Sequence, residues 1–330
     1  MRLFAARATR IVVAALMLAW AGSAAAQDYP SRDITFIVPF NPGGSTDPLS
    51  RAFVAQLEKT LPGNINVENR PGGSATIGTN LVVQAKPDGY TIGLGDSAAL
   101  TYQPLVNPGL PYKTPDDYQI ITKLADVPGM LLVRADAPWR TFEEFMADVR
   151  QKPGKIRVGV SGVRSIADLV VQQLNRSAGV KIATVPFTGG GGEALLALLG
   201  GRIEGAVGYG GNSIAQVRAG KLRVLGVFAK GKYPLAPEAT SIPDAGFDAT
   251  LPASYTVIAP KGLPKDVLEK LTAASRKAME SPEFLAFAEK NGFVVDPKGP
   301  EEAVAELREF AREFASLTEW LDRIEAGAAR

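Results

Sequence analysis

Residues 34–47 read ITFIVPFNPGGSTD. The first half of this stretch, residues 34–40, is rich in β-branched and aromatic residues, which predicts a buried strand. The turn sequence Asn-Pro-Gly-Gly follows, and Ser45, Thr46 and Asp47 are residue types that favour the start of a helix. A buried strand, a loop of small residues and a helix start are the repeating unit of an α/β fold, in which helices cover a mostly parallel sheet.

The same unit recurs along the chain and divides it into two halves. Two β-rich runs, at residues 120–132 and 222–228, are candidates for strands that cross between two lobes. We therefore predict an α/β fold of two lobes, each a mainly parallel sheet flanked by helices, joined by two crossover strands. The first lobe would be discontinuous, at residues 27–126 and 229–330, and the second would span residues 127–228. Crossovers of this kind act as hinges, and ligands of open α/β sheets bind at the carboxyl ends of the strands.

The N-terminus has the pattern of a secretory signal peptide. Three arginines precede residue 11, residues 11–20 are apolar, and a small-residue cleavage pattern ends at Ala26. The apolar run is too short for a membrane-spanning helix, and an anchored N-terminus is the alternative. We predict that residues 1–26 are removed and that the mature chain is periplasmic. Removal lowers the formal net charge from +2 to −1, because the segment carries three of the 36 basic residues and none of the 34 acidic ones.

The composition excludes several classes of function. The chain has no cysteine and no histidine, so it lacks disulfides, thiol nucleophiles, Ser-His-Asp triads and the commonest zinc ligand. It has no basic run, no dinucleotide fingerprint and no P-loop spacing. We therefore predict a binding protein and not an enzyme, with no cofactor, no metal ion and no nucleic-acid partner, and we expect a monomer.

Four loops between a predicted strand and a predicted helix carry the candidate binding chemistry. Glycine lets backbone N–H groups approach a ligand, and a helix N-terminus carries roughly half a positive charge. Several such ends around one cleft would hold a carboxylate with few basic side chains. Each loop alone is also an ordinary turn, and Asp47 or Ser165 has the alternative role of a helix cap. The candidates are Gly43, Gly44, Ser45, Thr46 and Asp47 in the first loop, Asp96 and Ser97 in the second, Ser161, Arg164 and Ser165 in the third, and Thr188, Gly189, Gly190 and Gly191 in the fourth.

Arg164 has three readings from its position at the mouth of a predicted helix. Its guanidinium could grip a ligand carboxylate through two parallel hydrogen bonds, a geometry that lysine does not reproduce. It also stands four residues before Asp168, and this spacing places two side chains on one helix face. The third reading is an arginine at the rim, in contact with solvent.

A set of short segments runs in order along the mature chain: YPSR at 29–32, VPFNPGGSTD at 38–47, VENRPGG at 67–73, PDGYT at 87–91, VPFTGGG at 185–191, LLGG at 198–201 and AGKLR at 219–223. Together they resemble the extracytoplasmic solute receptors of tripartite tricarboxylate transporters. The resemblance implies the fold of a type II periplasmic binding protein and a membrane permease as partner. The implied ligand is a small carboxylate, either a citrate-like acid, a dicarboxylate or an aromatic acid.

The resemblance also implies where the ligand is held. It adds Phe40 and Asn41 to the first loop and Asp168 to the third, at a position where many relatives carry histidine. It adds Tyr209 as well, which ends Val-Gly-Tyr where many relatives have Phe-Asp-Asn. Two alternatives stay open: a ligand-sensing receptor for a signalling partner, and an enzyme of the same fold with Asp47 or Asp168 as its acid or base.

Overall fold

The computed structural model describes residues 29–43, 46–187 and 190–328. Contacts divide the chain into residues 1–31 and 32–330, and the fold given below is that of the second unit. The predicted signal peptide lies outside the described residues, as do Gly44, Ser45, Thr188 and Gly189 of the predicted binding loops. Among the described residues, no helix combines the length and the apolar character that crossing a membrane requires.

The β-rich runs of the sequence form strands that join into two sheets. Their apolar, β-branched residues are buried on the sheet faces, as in β1, where all residues but one are buried. In chain order the strands are β1 (Ile34–Val38), β2 (Ile65–Asn69), β3 (Thr91–Asp96), β4 (Tyr118–Val127), β5 (Met130–Arg134), β6 (Arg157–Val160), β7 (Ala183–Pro186), β8 (Gly205–Gly208), β9 (Leu222–Val227), β10 (Thr240–Ser241), β11 (Ala253–Pro260) and β12 (Val294–Val295).

The helices cover the sheets and start and stop at residues suited to those positions. Thr141 accepts a hydrogen bond from the backbone N–H of Glu144 at 3.2 Å and caps α5, and Gly179 ends α6 in the left-handed conformation. The helices are α1 (Thr46–Leu57), α2 (Thr76–Val83), the π-helical turn α3 (Ala98–Tyr102), α4 (Gln103–Val106), α5 (Phe142–Gln151), α6 (Ile166–Ala178), α7 (Gly191–Leu199), α8 (Gly210–Arg218), α9 (Lys265–Met279), α10 (Pro282–Asn291) and α11 (Pro300–Ala328).

Both sheets are mixed, whereas the sequence predicts mainly parallel ones. The first sheet has the order β12-β4-β11-β3-β1-β2 and the second β10-β9-β5-β8-β6-β7. In the first sheet β1 is parallel to β2 and β3, but β11 is antiparallel to β3 and β4. In the second, β6 is parallel to β7 and β8, but β5 is antiparallel to β8 and β9. A parallel neighbour requires a crossover that carries the chain back to the end of the sheet at which the previous strand began. β5 and β11 arrive from the other sheet without such a crossover, and they therefore run antiparallel to their neighbours.

The two sheets are linked at β4–β5 and again before β11. The first link agrees with the predicted crossing near Val127. The second lies later than predicted, because β10 pairs in parallel with β9 and keeps residues 240–241 on the second sheet. The chain therefore returns to the first sheet between Ser241 and Ala253 and not at Phe228, which is fully buried. The lobe boundaries at residues 127 and 228 stay predictions.

Each sheet has its own apolar core. In the first, Ile37, Val82, Leu100 and Leu307 belong to one buried cluster between the sheet and its helices. In the second, the corresponding cluster contains Leu132, Leu198, Ala206 and Ile214 among its members. Two separate cores allow the two halves to keep their internal packing if they move relative to each other.

Candidate functional site

The carboxyl ends of the parallel strands face the link between the sheets. β4 leads almost directly into β5, whose first residue, Met130, lies opposite Gly208 at the end of β8. In the first sheet, Tyr255 near the start of β11 lies opposite Asp96, the last residue of β3. The loops that follow the strands of both sheets therefore border one region beside the link, and we call this region the cleft.

Asp47 organises the first loop through its side chain. Its carboxylate accepts hydrogen bonds from the backbone N–H of Gly43 at 3.3 Å, from Arg51 Nε at 3.0 Å and from Asn69 Nδ2 at 2.9 Å. Asn69 also donates to the carbonyl of Phe40 at 3.0 Å. Burial alone would raise the pKa of Asp47, but the hydrogen bonds from Arg51, Asn69 and Gly43 outweigh it and lower the pKa. The carboxylate thus holds the loop through a residue before the helix and through two side chains, which differs from a helix cap, since a cap accepts from backbone N–H groups within its own helix.

Asn69 and Arg51 are therefore residues of this site that sequence reasoning did not select. Asn69 stands in the quoted segment VENRPGG, and Arg51 lies four residues after Asp47, a spacing that predicts a helical ion pair. Asn41 and Gly43 are exposed at the tip of the loop, and Thr46 is buried at the start of α1.

Asp96 is a buried carboxyl group at the end of β3. One of its oxygens accepts hydrogen bonds from the backbone N–H groups of Ala98 at 3.0 Å and Ala99 at 3.2 Å. Burial raises the pKa of Asp96 to about 6, and the two backbone hydrogen bonds only partly offset that effect. Ser97 is also buried, and its hydroxyl accepts a hydrogen bond from the backbone N–H of Ser254 at 3.4 Å. Both residues therefore hold first-sheet backbone groups in place at the edge of the cleft.

The third loop is organised by a helix cap. The hydroxyl of Ser165 accepts from the backbone N–H of Asp168 at 3.3 Å, and Asp168 in turn accepts from the backbone N–H of Arg164 at 2.7 Å. Asp168 also accepts from Gln172 at 3.3 Å. This arrangement bears out the capping alternative for Ser165, and it gives Asp168 a structural role in fixing the loop.

The third and fourth loops are neighbours. A methyl group added at Gly191 would lie 4.0 Å from the side chain of Ser161. Gly190, the N-cap residue of α7, has a φ of 81°, a conformation that favours glycine. The predicted grouping of Ser161 with Gly190 and Gly191 is therefore present, while Thr188 and Gly189 lie outside the described residues.

The guanidinium of Arg164 does not pair with Asp168 as the four-residue spacing suggests. Nη1 donates a hydrogen bond to the hydroxyl of Tyr102 at 2.7 Å, and Nη2 lies 3.8 Å from a carboxylate oxygen of Asp322. The side chain is 23% exposed and is thus only partly in contact with solvent, and both the carboxylate-clamp reading and the rim reading of Arg164 stay predictions. The backbone N–H, not the guanidinium, makes the contact with Asp168.

Residues from both sheets meet around two tyrosines. The hydroxyl of Tyr209, which follows β8, is buried and has no hydrogen-bond partner among the described residues. Burial raises its pKa well above the usual value, and the charges of Tyr255 and Asp96 raise that pKa further. Tyr255 is buried too, and burial raises its pKa above the usual value. Gly129 belongs to the link between β4 and β5, and a methyl group at this position would lie 3.5 Å from the Tyr209 ring. The two tyrosines and their neighbours therefore lie at the link between the sheets.

Tyr255 was not selected from the sequence, because it reads as an ordinary strand residue. Its role depends on β11 entering the first sheet beside the end of β3, which is a long-range feature. Thr46, Asp96, Tyr255 and Tyr209 together offer hydroxyl donors and one titratable carboxyl group. Such a set can bind a polar or anionic ligand, but it contains no pair of nucleophile and base.

A group of three carboxylates elsewhere is close enough to bind a metal ion, but a lysine already occupies it. The oxygens belong to Asp126, Asp296 and Glu306. The fully buried Lys123 places its ammonium nitrogen 2.8, 2.9 and 2.6 Å from them, respectively. Lys298 also contacts Asp296 and Glu306. We interpret this cluster as an ion network that fixes the end of β4 to α11.

Comparison with known proteins identifies the family. The sequence matches the family described as Tripartite tricarboxylate transporter family receptor over residues 49–313. A UPF0065 protein of Bordetella pertussis is 33% identical over 292 residues, which cover 88% of this chain and 89% of that protein. The chain belongs to the tripartite tricarboxylate transporter receptor family, as its short segments predict.

Solved structures similar to this chain have the same fold. MatC from Rhodopseudomonas palustris with bound malate is 27% identical, with a TM-score of 0.79 and coverage of 88% of this chain and 99% of that one. A second R. palustris protein, solved with adipate, is 26% identical, with a TM-score of 0.81 and coverage of 88% and 98%. The predicted fold, a two-lobed periplasmic binding protein, is confirmed. The family is one of solute-binding receptors and not of enzymes.

Proposed function

We propose that this receptor captures a small dicarboxylate in the cleft between its two sheets and delivers it to the membrane permease of a tripartite tricarboxylate-type transporter. Two similar proteins support the ligand class, since one was solved with malate and the other with adipate. The proposal includes the periplasm as location and removal of residues 1–26. Capture is reversible and non-covalent.

The buried hydroxyl of Tyr209 is the observation that carries this proposal. A buried polar group without a partner costs roughly 1–3 kcal/mol, and native proteins leave few of them. The hydroxyl lies near enough to Tyr255 and Asp96 for their charges to raise its pKa. Tyr209 follows β8 at the carboxyl ends of the strands, where α/β proteins bind ligands. A ligand oxygen that accepts a hydrogen bond from the Tyr209 hydroxyl would remove this cost.

A dicarboxylate suits the two sides of the cleft. On the first-sheet side, the hydroxyls of Thr46 and Tyr255 are neutral donors beside Asp96. On the second-sheet side, α7 and α8 both begin at glycines, and their N-cap residues, Gly190 and Tyr209, make no side-chain capping hydrogen bond. Uncapped helix N-termini favour an anion. One carboxylate would therefore lie against each side, and the spacing between them would set the preferred chain length.

The two sheets also suit a conformational change on ligand binding. We expect the lobe built on the second sheet, with residues 127–241, to close on the remainder of the chain about the β4–β5 link and the return segment at residues 242–252. Small-angle scattering of the receptor with saturating adipate should give a smaller radius of gyration than without it. An unchanged radius for a confirmed ligand would contradict closure.

A thermal-shift panel tests the ligand class. The panel contains citrate, L-malate, adipate, the diamide of adipic acid and glucose. A ligand present at about 100 times its dissociation constant adds roughly 2.7 kcal/mol to the free energy of unfolding, so a carboxylate should raise the melting temperature while the diamide and glucose do not. A neutral sugar as the strongest hit would overturn the proposal.

Two tyrosine variants test the site itself. Tyr209 and Tyr118 both carry buried hydroxyls without a partner among the described residues, but Tyr118 begins β4 at the end of the sheet away from the cleft. Tyr209→Phe should weaken the tightest carboxylate of the panel by roughly 1–3 kcal/mol. Tyr118→Phe is the matched control and should leave that affinity unchanged in isothermal titration. Equal affinities for Tyr209→Phe and the parent would remove Tyr209 from the site.

A further inference from the structure

A hydrogen bond joins the two halves of the molecule outside the ligand cluster. Arg164 lies in the loop after β6 of the second sheet, and Tyr102 is the last residue of α3, which follows β3 of the first sheet. The distance from Arg164 Nη1 to the Tyr102 hydroxyl is 2.7 Å. A hydrogen bond from a charged donor is stronger than one between neutral groups, so this contact is a strong link between elements of different sheets.

The acceptor is held rigidly by the last helix. Tyr102 is fully buried, and its ring packs edge-on against Phe314 at a centroid distance of 5.5 Å. The hydroxyl oxygen of Tyr102 accepts the hydrogen bond from Arg164.

The donor is held rigidly as well. Arg164 has a φ of 54°, which is costly for a residue other than glycine, by roughly 1–3 kcal/mol. The backbone N–H of this residue donates a hydrogen bond to Asp168 at 2.7 Å, which helps to fix this conformation. Strained backbone of this kind persists where the surroundings determine it and often marks a functional position.

The last helix, α11, contacts elements of both sheets. α11 packs on α3 and β4 of the first sheet, and its polar residues reach α6 of the second. Glu313 accepts a hydrogen bond from the buried Gln173, and Ser316 accepts from Arg176 at 3.3 Å. The hydrogen bond between Arg164 and Tyr102 therefore lies at the end of a row of contacts between α6 and α11.

We propose that Arg164 and Tyr102 form a latch between the lobes, which strengthens ligand binding by stabilising the closed arrangement and not by touching the ligand. This assigns Arg164 a different role from a carboxylate clamp, and it rests on the proposed function of ligand capture. A receptor gains affinity when its binding-competent arrangement is more populated before the ligand arrives. Both residues are therefore positioning residues for binding.

Affinity measurements separate the latch from a direct clamp. Isothermal titration with adipate should show that Arg164→Ala and Tyr102→Phe each weaken binding by roughly 10-fold to 100-fold, the value of a hydrogen bond to a charged group. The double variant should bind no more weakly than Arg164→Ala, because Arg164→Ala has already removed the contact that Tyr102→Phe removes. Retained affinity in Tyr102→Phe together with a loss in Arg164→Ala would overturn the latch in favour of a direct contact.

Two control variants make the same chemical changes, arginine to alanine and tyrosine to phenylalanine, away from the latch. Arg157→Ala removes an arginine at the start of β6 that pairs with Glu204 on its own sheet. Tyr112→Phe removes a buried tyrosine hydroxyl that donates to the carbonyl of Ala99 at 3.0 Å within the first-sheet half. Neither should change the affinity for adipate. A loss in these controls equal to that in the latch variants would also overturn the latch.

Distance measurement tests the latch without relying on the ligand. Because the chain has no cysteine, spin labels can be placed at Lys86→Cys beside the first sheet and Lys155→Cys beside the second, both of which are exposed. In the absence of ligand, Tyr102→Phe should add a longer-distance population that the parent lacks. If no carboxylate binds but this shift occurs, the proposed ligand class fails and the latch stands. Identical distributions in parent and variant would overturn the latch.

Discussion

Replacement of Asp96 by asparagine should stabilise the receptor at neutral and alkaline pH. Asp96 is 7% exposed, and one oxygen accepts the two backbone hydrogen bonds from Ala98 and Ala99. Asparagine keeps an oxygen that accepts both bonds but carries no charge. The substitution therefore removes the desolvated charge and leaves the turn at the end of β3 intact.

The size of the effect follows from the pKa of Asp96, which burial raises from 3.8 to about 6. Since one pKa unit is worth about 1.4 kcal/mol, this difference corresponds to about 3 kcal/mol. The folded-state value lies above the unfolded value, so this stability is fully present below about pH 4 and is lost as the pH rises through about 6. Asp96→Asn should thus exceed the parent by up to about 3 kcal/mol at about pH 8 and by little at about pH 4.

Urea unfolding of both proteins across this pH range measures the difference. Asp47→Asn is the matched control, because hydrogen bonds hold the pKa of Asp47 below its usual value despite burial. Its charge contributes stability above pH 3.8 that is lost as the pH falls, so Asp47→Asn should be less stable than the parent at about pH 8. A difference between Asp96→Asn and the parent that does not change with pH, or a less stable Asp96→Asn at about pH 8, would refute the reasoning.

Three further predictions concern binding and packing. Affinity for adipate, measured by isothermal titration, should fall between about pH 6 and pH 8 as Asp96 ionises beside the bound anion, and Asp96→Asn should abolish this dependence. Lys123→Met should lower the free energy of unfolding in urea by roughly 3–5 kcal/mol, because it leaves Asp126 without its cation and removes one of the two lysines that contact Asp296 and Glu306; Lys298→Met, at a 33% exposed side chain, should cost less. Gly208→Ala should lower the melting temperature by circular dichroism, since the new methyl group would overlap Ser213 and Leu132, while Gly192→Ala meets no atom within 4 Å and should not.

The parts of this fold that could be predicted from sequence depend on local pattern. Thr141 is a residue type that caps helices, and the sequence predicts a helix from Thr141 to Val149; the observed helix is Phe142–Gln151, with Thr141 as its cap. The first loop is recognisable because a β-branched run, two glycines and a capping triplet follow one another in a few residues. Such signals act between neighbours in the chain, so no knowledge of the tertiary fold is needed to interpret them.

The features that were missed depend on distant contacts. Thr240 and Ser241 form a strand of two residues within a proline-rich segment, and only the neighbouring β9 makes them a strand. β11 is antiparallel to β3 because the chain arrives there from the other sheet. The residues of β11 alone do not indicate this direction. Arg164 meets Tyr102, 62 residues earlier in the chain, whereas helical spacing suggested Asp168 as its partner.

The aspartates in the predicted binding loops limit which groups of the receptor can bind an anion. Sequence reasoning treats the loops at Asp47, Asp96 and Asp168 as anion sites, yet each of these carboxylates accepts backbone N–H groups of its own loop. A ligand carboxylate competes poorly for a donor that already has an anionic partner, and it is repelled by that partner. We therefore expect the anion to be received mainly by neutral hydroxyls on the first-sheet side and by the uncapped starts of α7 and α8 on the other. In this arrangement the three aspartates shape the loops, and because burial raises the pKa of Asp96 to about 6, a bound anion can influence its protonation.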